Sequence, residues 1–67
     1  MGEQLDNRLR EERTRRNLTQ AQLAELVGVS RKTINTVENG IFVPSTVLAL
    51  RLAKVLETSV EELFSLR

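Results

Sequence analysis

Apolar residues recur along this chain three or four positions apart, and no segment shows the strict alternation of a half-buried strand. The pattern predicts an all-α fold of five helices, at about 4–16, 19–27, 30–38, 45–56 and 60–66. The fourth segment is apolar over more than one face, so we expect it to be the central, most buried helix. No repeat, linker or low-complexity stretch marks a second domain, and residues 1–67 are predicted to form a single one.

The second and third segments carry matched end signals. Thr19, with Gln three residues later, makes a capping box that begins the second helix. Gly28 suits a left-handed helix end, and Ser30 offers a new N-cap, so the third helix covers about 31–38. An Asn-Gly pair at 39–40 ends it by the same logic. Two short helices across a sharp turn form a helix-turn-helix, which places one helix in the major groove of DNA.

Composition excludes several classes of protein. A core of 67 residues is only marginally stabilising, so dimerisation is a natural supplement. The chain has no Cys and no His, and we therefore predict no metal, no cofactor and no enzymatic activity. No apolar run approaches the roughly 18 residues of a membrane span, and the N-terminus lacks the apolar core of a signal peptide. We expect a cytoplasmic protein of prokaryotic or phage type, without membrane contact.

Charge is informative only in its distribution, because the net charge is +1. Five arginines lie in the first helix: Arg8, Arg10, Arg13, Arg15 and Arg16. Three acidic residues precede them at the favourable i,i+4 spacing, as Asp6–Arg10, Glu11–Arg15 and Glu12–Arg16. Most of this face is expected to be solvated and self-paired, the alternative being a phosphate-binding cluster. Arg15 and Arg16 lie nearest the second helix, and Arg16 is our candidate for a phosphate contact.

Two charged residues continue rows that otherwise face the core. Arg13 follows Leu5 and Leu9 on the first helix, and Glu38 follows Ile34 beside Val37 on the third. An unpaired charge at either place would be costly, so the two invite pairing. The alternative is that each lies hydrated at the rim of the core.

The outward face of the third helix carries the candidates for base contact. With Ile34 and Val37 turned inward, these candidates are Arg31, Lys32, Thr33, Asn35 and Thr36. Arg and Lys suit guanine, Asn suits adenine, and a threonine methyl packs on the thymine methyl. The alternative is an ordinary hydrated helix surface. That alternative does not explain why so short and polar a helix is capped at both ends and held across a tight turn.

Several spaced motifs occur together: Leu18-Thr-Gln20-x-x-Leu23-Ala24, Gly28-Val-Ser30, Ile34-x-x-Val37-Glu38-Asn39-Gly40, Pro44-Ser45, Ala49-Leu50-x-Leu52-Ala53 and Val60-Glu-Glu-Leu63-Phe64. On these motifs the chain resembles the lambda-repressor and Cro-like helix-turn-helix family, in its minimal stand-alone form, from residue 5 to residue 66. The resemblance implies a compact five-helix lambda-repressor-like DNA-binding domain, with the helix-turn-helix at helices 2 and 3. It also implies an ion pair between Arg13 and Glu38.

The same resemblance implies roles for individual residues. Gln20 contacts a phosphate and braces the recognition helix, while Asn39 and neighbouring amides bind a phosphate on the other side. Base reading falls first to Arg31, Lys32, Thr33 and Thr36, with Asn35 ranked after them. The candidates for phosphate binding are Arg16, Thr19, Gln20, Ser30, Asn39 and Gly40.

The chain departs from the family pattern at three places. Ile41-Phe42-Val43 occupies a loop where Lys or Arg usually supplies a phosphate anchor. Glu57 stands where Gly often ends the fourth helix, and Thr46 stands where Leu is usual. The first departure implies weaker DNA affinity or another use of the loop, and the others concern local packing.

Four apolar residues are candidates for a dimer interface: Ile41, Phe42, Phe64 and Leu66. The alternative is that they cap the small core of one subunit. Dimers of this motif bind half-sites about 34 to 36 Å apart, which turns weak reading by one helix into specific binding.

Three functions remain in competition. The leading hypothesis is a sequence-specific regulator of transcription, a repressor that binds double-stranded DNA at an inverted-repeat operator as a homodimer. The second is an antitoxin or restriction-system controller with the same DNA binding, which would need a protein partner or a neighbouring gene. The third is a protein-protein adaptor that uses the fold without DNA.

Overall fold

Five helices and one two-stranded sheet make up residues 3–67, the part of the chain that the computed structural model describes. In chain order they are β1 (Leu5–Asn7), α1 (Leu9–Arg15), α2 (Gln20–Val27), α3 (Arg31–Glu38), α4 (Thr46–Val55), α5 (Val60–Leu63) and β2 (Phe64–Leu66). The predicted helical fold is confirmed, with the small sheet as an addition. Residues 1 and 2 of the predicted domain lie outside the described residues.

The predicted first helix, 4–16, is wrong over its first turn, where Leu5–Asn7 is a strand. Asn7 sets the boundary, because its Oδ1 accepts a hydrogen bond from the N–H of Leu9 at 3.1 Å. Its Nδ2 donates to the carbonyl of Val37 at 2.9 Å, which ties the strand to α3. The i,i+4 spacing of two leucines favours a helix, but the local bond to Leu9 and the distant contact with Val37 override it.

The predicted last helix, 60–66, is wrong over its second half. It ends at Leu63, and Phe64 takes an extended backbone with φ −127° and ψ 144°. The segment pairs antiparallel with β1, so that Leu66 lies opposite Leu5 and Phe64 opposite Asn7. Pairing satisfies backbone groups at both chain ends, whereas so short a helix is marginal by itself.

Each helix contributes a fully buried residue to one core: Leu9, Leu23, Ile34, Leu52 and Leu63 are all 0% exposed. In α4 one row is buried as predicted, formed by Leu48 and Leu52 and continued by Leu56 just beyond the helix. Its other apolar row is not buried, since Val47 and Leu50 are 59% and 57% exposed. The expectation of a helix buried on several faces is therefore wrong for the outward row.

α4 ends in a left-handed residue that is not glycine. Glu57 has φ 54°, its N–H bonds to the carbonyl of Lys54 at 3.2 Å, and the next N–H, of Thr58, bonds to the carbonyl of Ala53 at 2.9 Å. These two bonds form a Schellman motif, whose left-handed position favours glycine. A side chain with a Cβ is strained there.

We expect Glu57→Gly to raise the free energy of unfolding by about 0.5–1 kcal/mol, because it removes this strain. Glu57→Ala is the matched control, since it keeps the Cβ and removes the same carboxylate. Urea unfolding of both variants tests the expectation. Equal unfolding midpoints for the Gly and Ala variants would contradict it.

Candidate nucleic-acid interface

α2 and α3 meet across the predicted sharp turn. The capping box at Thr19 is formed in both directions, at 3.0 and 2.8 Å to Gln22. Gly28, with φ 82°, ends α2 and donates its N–H to the carbonyl of Ala24 at 2.8 Å. Ser30 Oγ then accepts the N–H of Thr33 at 3.1 Å and begins α3. Local hydrogen bonds at these three helix ends therefore fix the angle between α2 and α3.

The outward face of α3 carries two exposed cations, Arg31 and Lys32. Within residues 3–67, neither lies within ion-pair distance of a carboxylate, a property shared with Arg51 and Lys54 of α4. Charged groups on this part of α3 are therefore available to an external anion.

Two threonines lie half-buried beside these cations, with their hydroxyls turned to the protein. Thr33 Oγ1 bonds to Ser30 Oγ at 2.9 Å. Thr36 Oγ1 donates to the carbonyls of Lys32 at 3.1 Å and Thr33 at 3.0 Å. With both hydroxyls engaged within the protein, these residues offer a partner their methyl groups and the remaining acceptor capacity of their oxygens.

Arginines around α1 have acidic partners, although three predicted i,i+4 pairs are wrong. The observed pairs, each with at least one exposed side chain, are Arg8–Glu11 at 4.0 Å, Arg15–Glu12 at 3.4 Å, Arg16–Glu57 at 3.7 Å and Arg67–Asp6 at 3.3 Å. Asp6–Arg10 fails because residue 6 lies in a strand; Glu11 and Glu12 pair instead at i,i+3 spacing with Arg8 and Arg15. Exposed pairs of this kind add little stability, but they leave these arginines neutralised.

Arg13 and Glu38 form a bidentate ion pair. Arg13 Nε and Nη2 donate to the two carboxylate oxygens at 2.5 and 3.2 Å, and Nη1 donates to the carbonyl of Leu18 at 2.8 Å. The two side chains are 11% and 0% exposed. The pair thus joins α1 to the end of α3 inside the protein, where it is shielded from solvent.

The carboxylate of Glu38 stays ionised despite its burial. Burial, the largest single influence, raises its pKa, but hydrogen bonds from Arg13, Gln20 and Arg10 and the charge of Arg13 together outweigh it. The pKa of Glu38 therefore lies below its usual value. At neutral pH the group is a charged acceptor for donors from α1 and α2.

Three amide side chains complete the surroundings of Glu38. Gln20 Nε2 donates to Glu38 at 3.1 Å, Asn35 Nδ2 to Gln20 at 3.4 Å and Asn39 Nδ2 to Asn35 Oδ1 at 3.2 Å. Arg10 donates to Glu38 at 3.3 Å and to Asn39 Oδ1 at 3.2 Å. We call these five residues the Glu38 ring. Within it Gln20 braces α3, and both polar atoms of the Asn35 amide are engaged.

The predicted phosphate-binding residues do not form one cluster. Thr19 and Gln20 line one surface depression at the start of α2, together with Arg31. Arg16 lies apart from them, against Glu57 beyond α4. At the far end of α3 the Gly40 N–H bonds to the carbonyl of Val37 at 3.1 Å. The depression is thus the place where predicted phosphate donors and a base-reading candidate come together.

Two further residues of this region form bonds that the sequence does not predict. Asn7 bonds to Val37 of α3, and Arg10 bonds to Glu38 and not to Asp6. Arg10 lies three positions before Arg13, on the same side of α1. That spacing is a usable signal for its contact with Glu38, whereas no local signal points to Asn7.

Of the four residues predicted at a dimer interface, Phe64 is buried in the core, only 8% exposed. Its position in β2 turns it inward, which matches the alternative role considered for it. Ile41, Phe42 and Leu66 are 77%, 47% and 66% exposed. They remain available for a partner.

Residues 9–63 match the family model described as Helix-turn-helix. The chain belongs to this helix-turn-helix family. An uncharacterized HTH-type transcriptional regulator of Bacillus subtilis, YgzD, is 39% identical over 60 residues, which cover 90% of this chain and 91% of that one. A Methanocaldococcus jannaschii protein of the same description is 42% identical, with the same coverage.

Solved structures agree with this family. The restriction-modification controller protein C.AhdI from Aeromonas hydrophila is 42% identical with a TM-score of 0.78, over 82% of this chain and 83% of that one. A protein from Bacteroides fragilis, at 24% identity, has a TM-score of 0.82 over 91% of this chain and 98% of its own. The latter likeness supports the fold alone. This helix-turn-helix protein is thus a DNA-binding regulator of transcription.

Residues 3–67 hold no group of three acidic or sulfur side chains placed to bind a metal ion. None of the helices in that range is long and apolar enough to cross a membrane.

Arg13→Ala is expected to lower the free energy of unfolding by about 3 kcal/mol at neutral pH, because it leaves a buried carboxylate short of its main partner. Arg15→Ala, which removes an exposed arginine paired with Glu12, should cost less than about 1 kcal/mol. Thermal or urea unfolding of both variants measures the difference.

The cost of Arg13→Ala should also depend on pH. The folded pKa of Glu38 is depressed, so its stabilisation is present above the unfolded value, 4.5, and is lost as pH falls through the folded pKa. The gap between wild type and Arg13→Ala should therefore shrink in acid. A gap that stays constant from about pH 7 to pH 2 would exclude this coupling.

Proposed function

We propose that this helix-turn-helix protein is a repressor that binds an inverted-repeat operator as a homodimer, with α3 in the major groove. The observation that carries the proposal is the outward face of α3. Its two exposed cations, Arg31 and Lys32, have no acidic partner within residues 3–67, although the arginines around α1 are paired. A helix held by caps and by Glu38 presents these charges at a defined angle.

In this proposal each type of side chain on α3 makes its own kind of contact with DNA. Arg31 and Lys32 donate to guanine O6 and N7. Thr33 and Thr36 pack their methyl groups on thymine methyls, since their hydroxyls already bond within α3.

Phosphates are proposed to bind on both sides of α3. The first site is the depression at the start of α2, where Thr19, Gln20 and Arg31 meet and where the helix dipole favours an anion. Ser30 lies at the start of α3, and Asn39 and Gly40 at its end, as further contacts. Arg16 would release Glu57 and bind a phosphate in its place, since both partners are exposed anions.

We further propose that the protein acts by occupying DNA, without catalysis or a cofactor, in the cytoplasm. Blocking polymerase requires only a bound domain of sufficient affinity and specificity. A second candidate function has one specific observation in its favour, the 42% identity to the controller protein C.AhdI. In that case the operator would lie beside genes of a restriction-modification system.

An exposed apolar face supports the proposed dimer. Val43, Val47 and Leu50 are 67%, 59% and 57% exposed, and Val43 and Leu50 line a mostly apolar groove that α4 and α5 share. Ile41 and Phe42, in the loop before α4, are also exposed. Burying such a face against a second copy would place two α3 helices on one side of DNA.

Selection from a random duplex-DNA library at two salt concentrations tests the DNA-binding proposal. We expect an enriched inverted repeat whose binding weakens steeply as salt rises. On that site Lys32→Ala should lose roughly 1–3 kcal/mol of discrimination at one base pair. Arg51→Ala removes an exposed charge of α4 that lies outside the apolar groove, and base preference should be unchanged. Absence of any enriched sequence at either salt would favour the adaptor hypothesis.

Sedimentation tests the dimer. We expect a dimer at tens of micromolar for the wild type, and a monomer for Leu50→Glu, because a charge on the apolar face cannot be buried against its symmetry mate. Leu26→Glu is the matched control, since Leu26 is 58% exposed on α2, away from this groove. A wild-type chain that sediments only as a monomer contradicts the proposal.

A further inference from the structure

The Glu38 ring is closed. Arg10 donates to Glu38 and to Asn39, Asn39 donates to Asn35, Asn35 to Gln20, and Gln20 back to Glu38. The five bonds measure 3.1 to 3.4 Å. They connect α1, α2 and α3, so the ring spans all three helices on the side where the start of α2 meets the end of α3.

Charged members set the direction of every bond in the ring. Arginine only donates and a carboxylate only accepts. Because Asn39 accepts from Arg10 through Oδ1, its Nδ2 faces Asn35 Oδ1. Asn35 Nδ2 therefore faces the amide oxygen of Gln20, and Gln20 Nε2 faces the carboxylate of Glu38. Turning any one amide around would set donor against donor and acceptor against acceptor. The ring therefore fixes the orientation of all three amides.

This orientation limits what Asn35 can offer to DNA. Recognition of adenine by asparagine uses both the amide nitrogen and the amide oxygen. In the ring, Asn35 Nδ2 donates to Gln20 and Asn35 Oδ1 accepts from Asn39. One N–H and one lone pair of Oδ1 are left, but the ring holds both atoms in place, so Asn35 cannot turn its amide to meet an adenine without breaking ring bonds. The side chain is also half-buried.

We propose that the Glu38 ring positions α3 for base reading, and that Asn35 and Arg10 act in it as positioning residues, not as base readers. This rests on the proposed DNA-binding function and deepens it. Arg10 from α1 bonds to Asn39 at the end of α3, and Gln20 from α2 bonds to Asn35 within α3. The ring therefore sets the orientation of α3 relative to α1 and α2. Base preference then comes from the other outward residues of α3.

Asn35→Ala separates positioning from base reading. We expect its affinity for the selected operator, and for every single-base variant of that operator, to fall by one common factor of about threefold to tenfold, the range for one net neutral hydrogen bond. The pattern of base preference stays as in the wild type. Selective loss of preference at a single adenine would overturn the proposal and return Asn35 to the base readers.

A double-variant cycle distinguishes the ring from general destabilisation. Arg10 and Asn35 share no hydrogen bond, so coupling between them has to pass through the other ring members. We expect Arg10→Ala with Asn35→Ala to lose less affinity than the product of the two single losses, because one break already opens the ring. Arg8→Ala removes an exposed charge beside Glu11 and is the control; with Asn35→Ala its losses should multiply. If the affinity losses of Arg10→Ala and Asn35→Ala simply multiply in the double variant, the proposal is overturned.

Side-chain amide resonances test the ring without DNA. In the free protein, Arg10→Ala should shift the NH2 signals of Asn35 and Gln20, neither of which bonds to Arg10, whereas Arg8→Ala should leave them in place. Unchanged signals in Arg10→Ala would show that the ring is not a unit and would overturn the proposal. If the library yields no site, the proposed DNA function fails, and these signals still decide whether the ring exists.

Discussion

A single buried carboxylate holds together the three helices that build the proposed DNA-binding face. Glu38 ends α3, and its side chain is 0% exposed, yet it accepts hydrogen bonds from Arg10 and Arg13 of α1 and from Gln20 of α2. Apolar packing supplies most of the attraction between helices but has no preferred direction. Hydrogen bonds are directional, so in this domain the core sets how closely the helices approach, and Glu38 sets their relative orientation.

The distribution of charge follows from the same arrangement. Arginines of α1 are used inside the protein or against neighbouring carboxylates, while Arg31 and Lys32 of α3 keep their charge available. A net charge of +1 therefore says little about DNA affinity. Salt screens exposed charges beyond about 8 Å at physiological ionic strength. The local charge on the outward face of α3 therefore matters more for binding an anion than the net charge of the chain.

Local signals predicted the helix-turn-helix well, because capping residues such as Thr19 and Ser30 act on amides three residues away. The strands were missed because Leu5 pairs with Leu66, across nearly the whole sequence, and nothing near either residue records that contact. The pairing of Arg13 with Glu38 was foreseen from two interrupted apolar rows together with the family resemblance. The amide ring was not, since it requires the relative placement of three helices.

Pairing of the chain ends has a consequence for how the domain is connected to other sequence. Backbone bonds of 3.1 and 3.0 Å between Gln4 and Arg67 place the two ends of the described chain side by side. Segments added at either end would leave the domain from the same place. Equally, a short loop would join the ends, and a circular permutant opened in the exposed loop before α4 would keep every helix contact while placing α3 last in the chain.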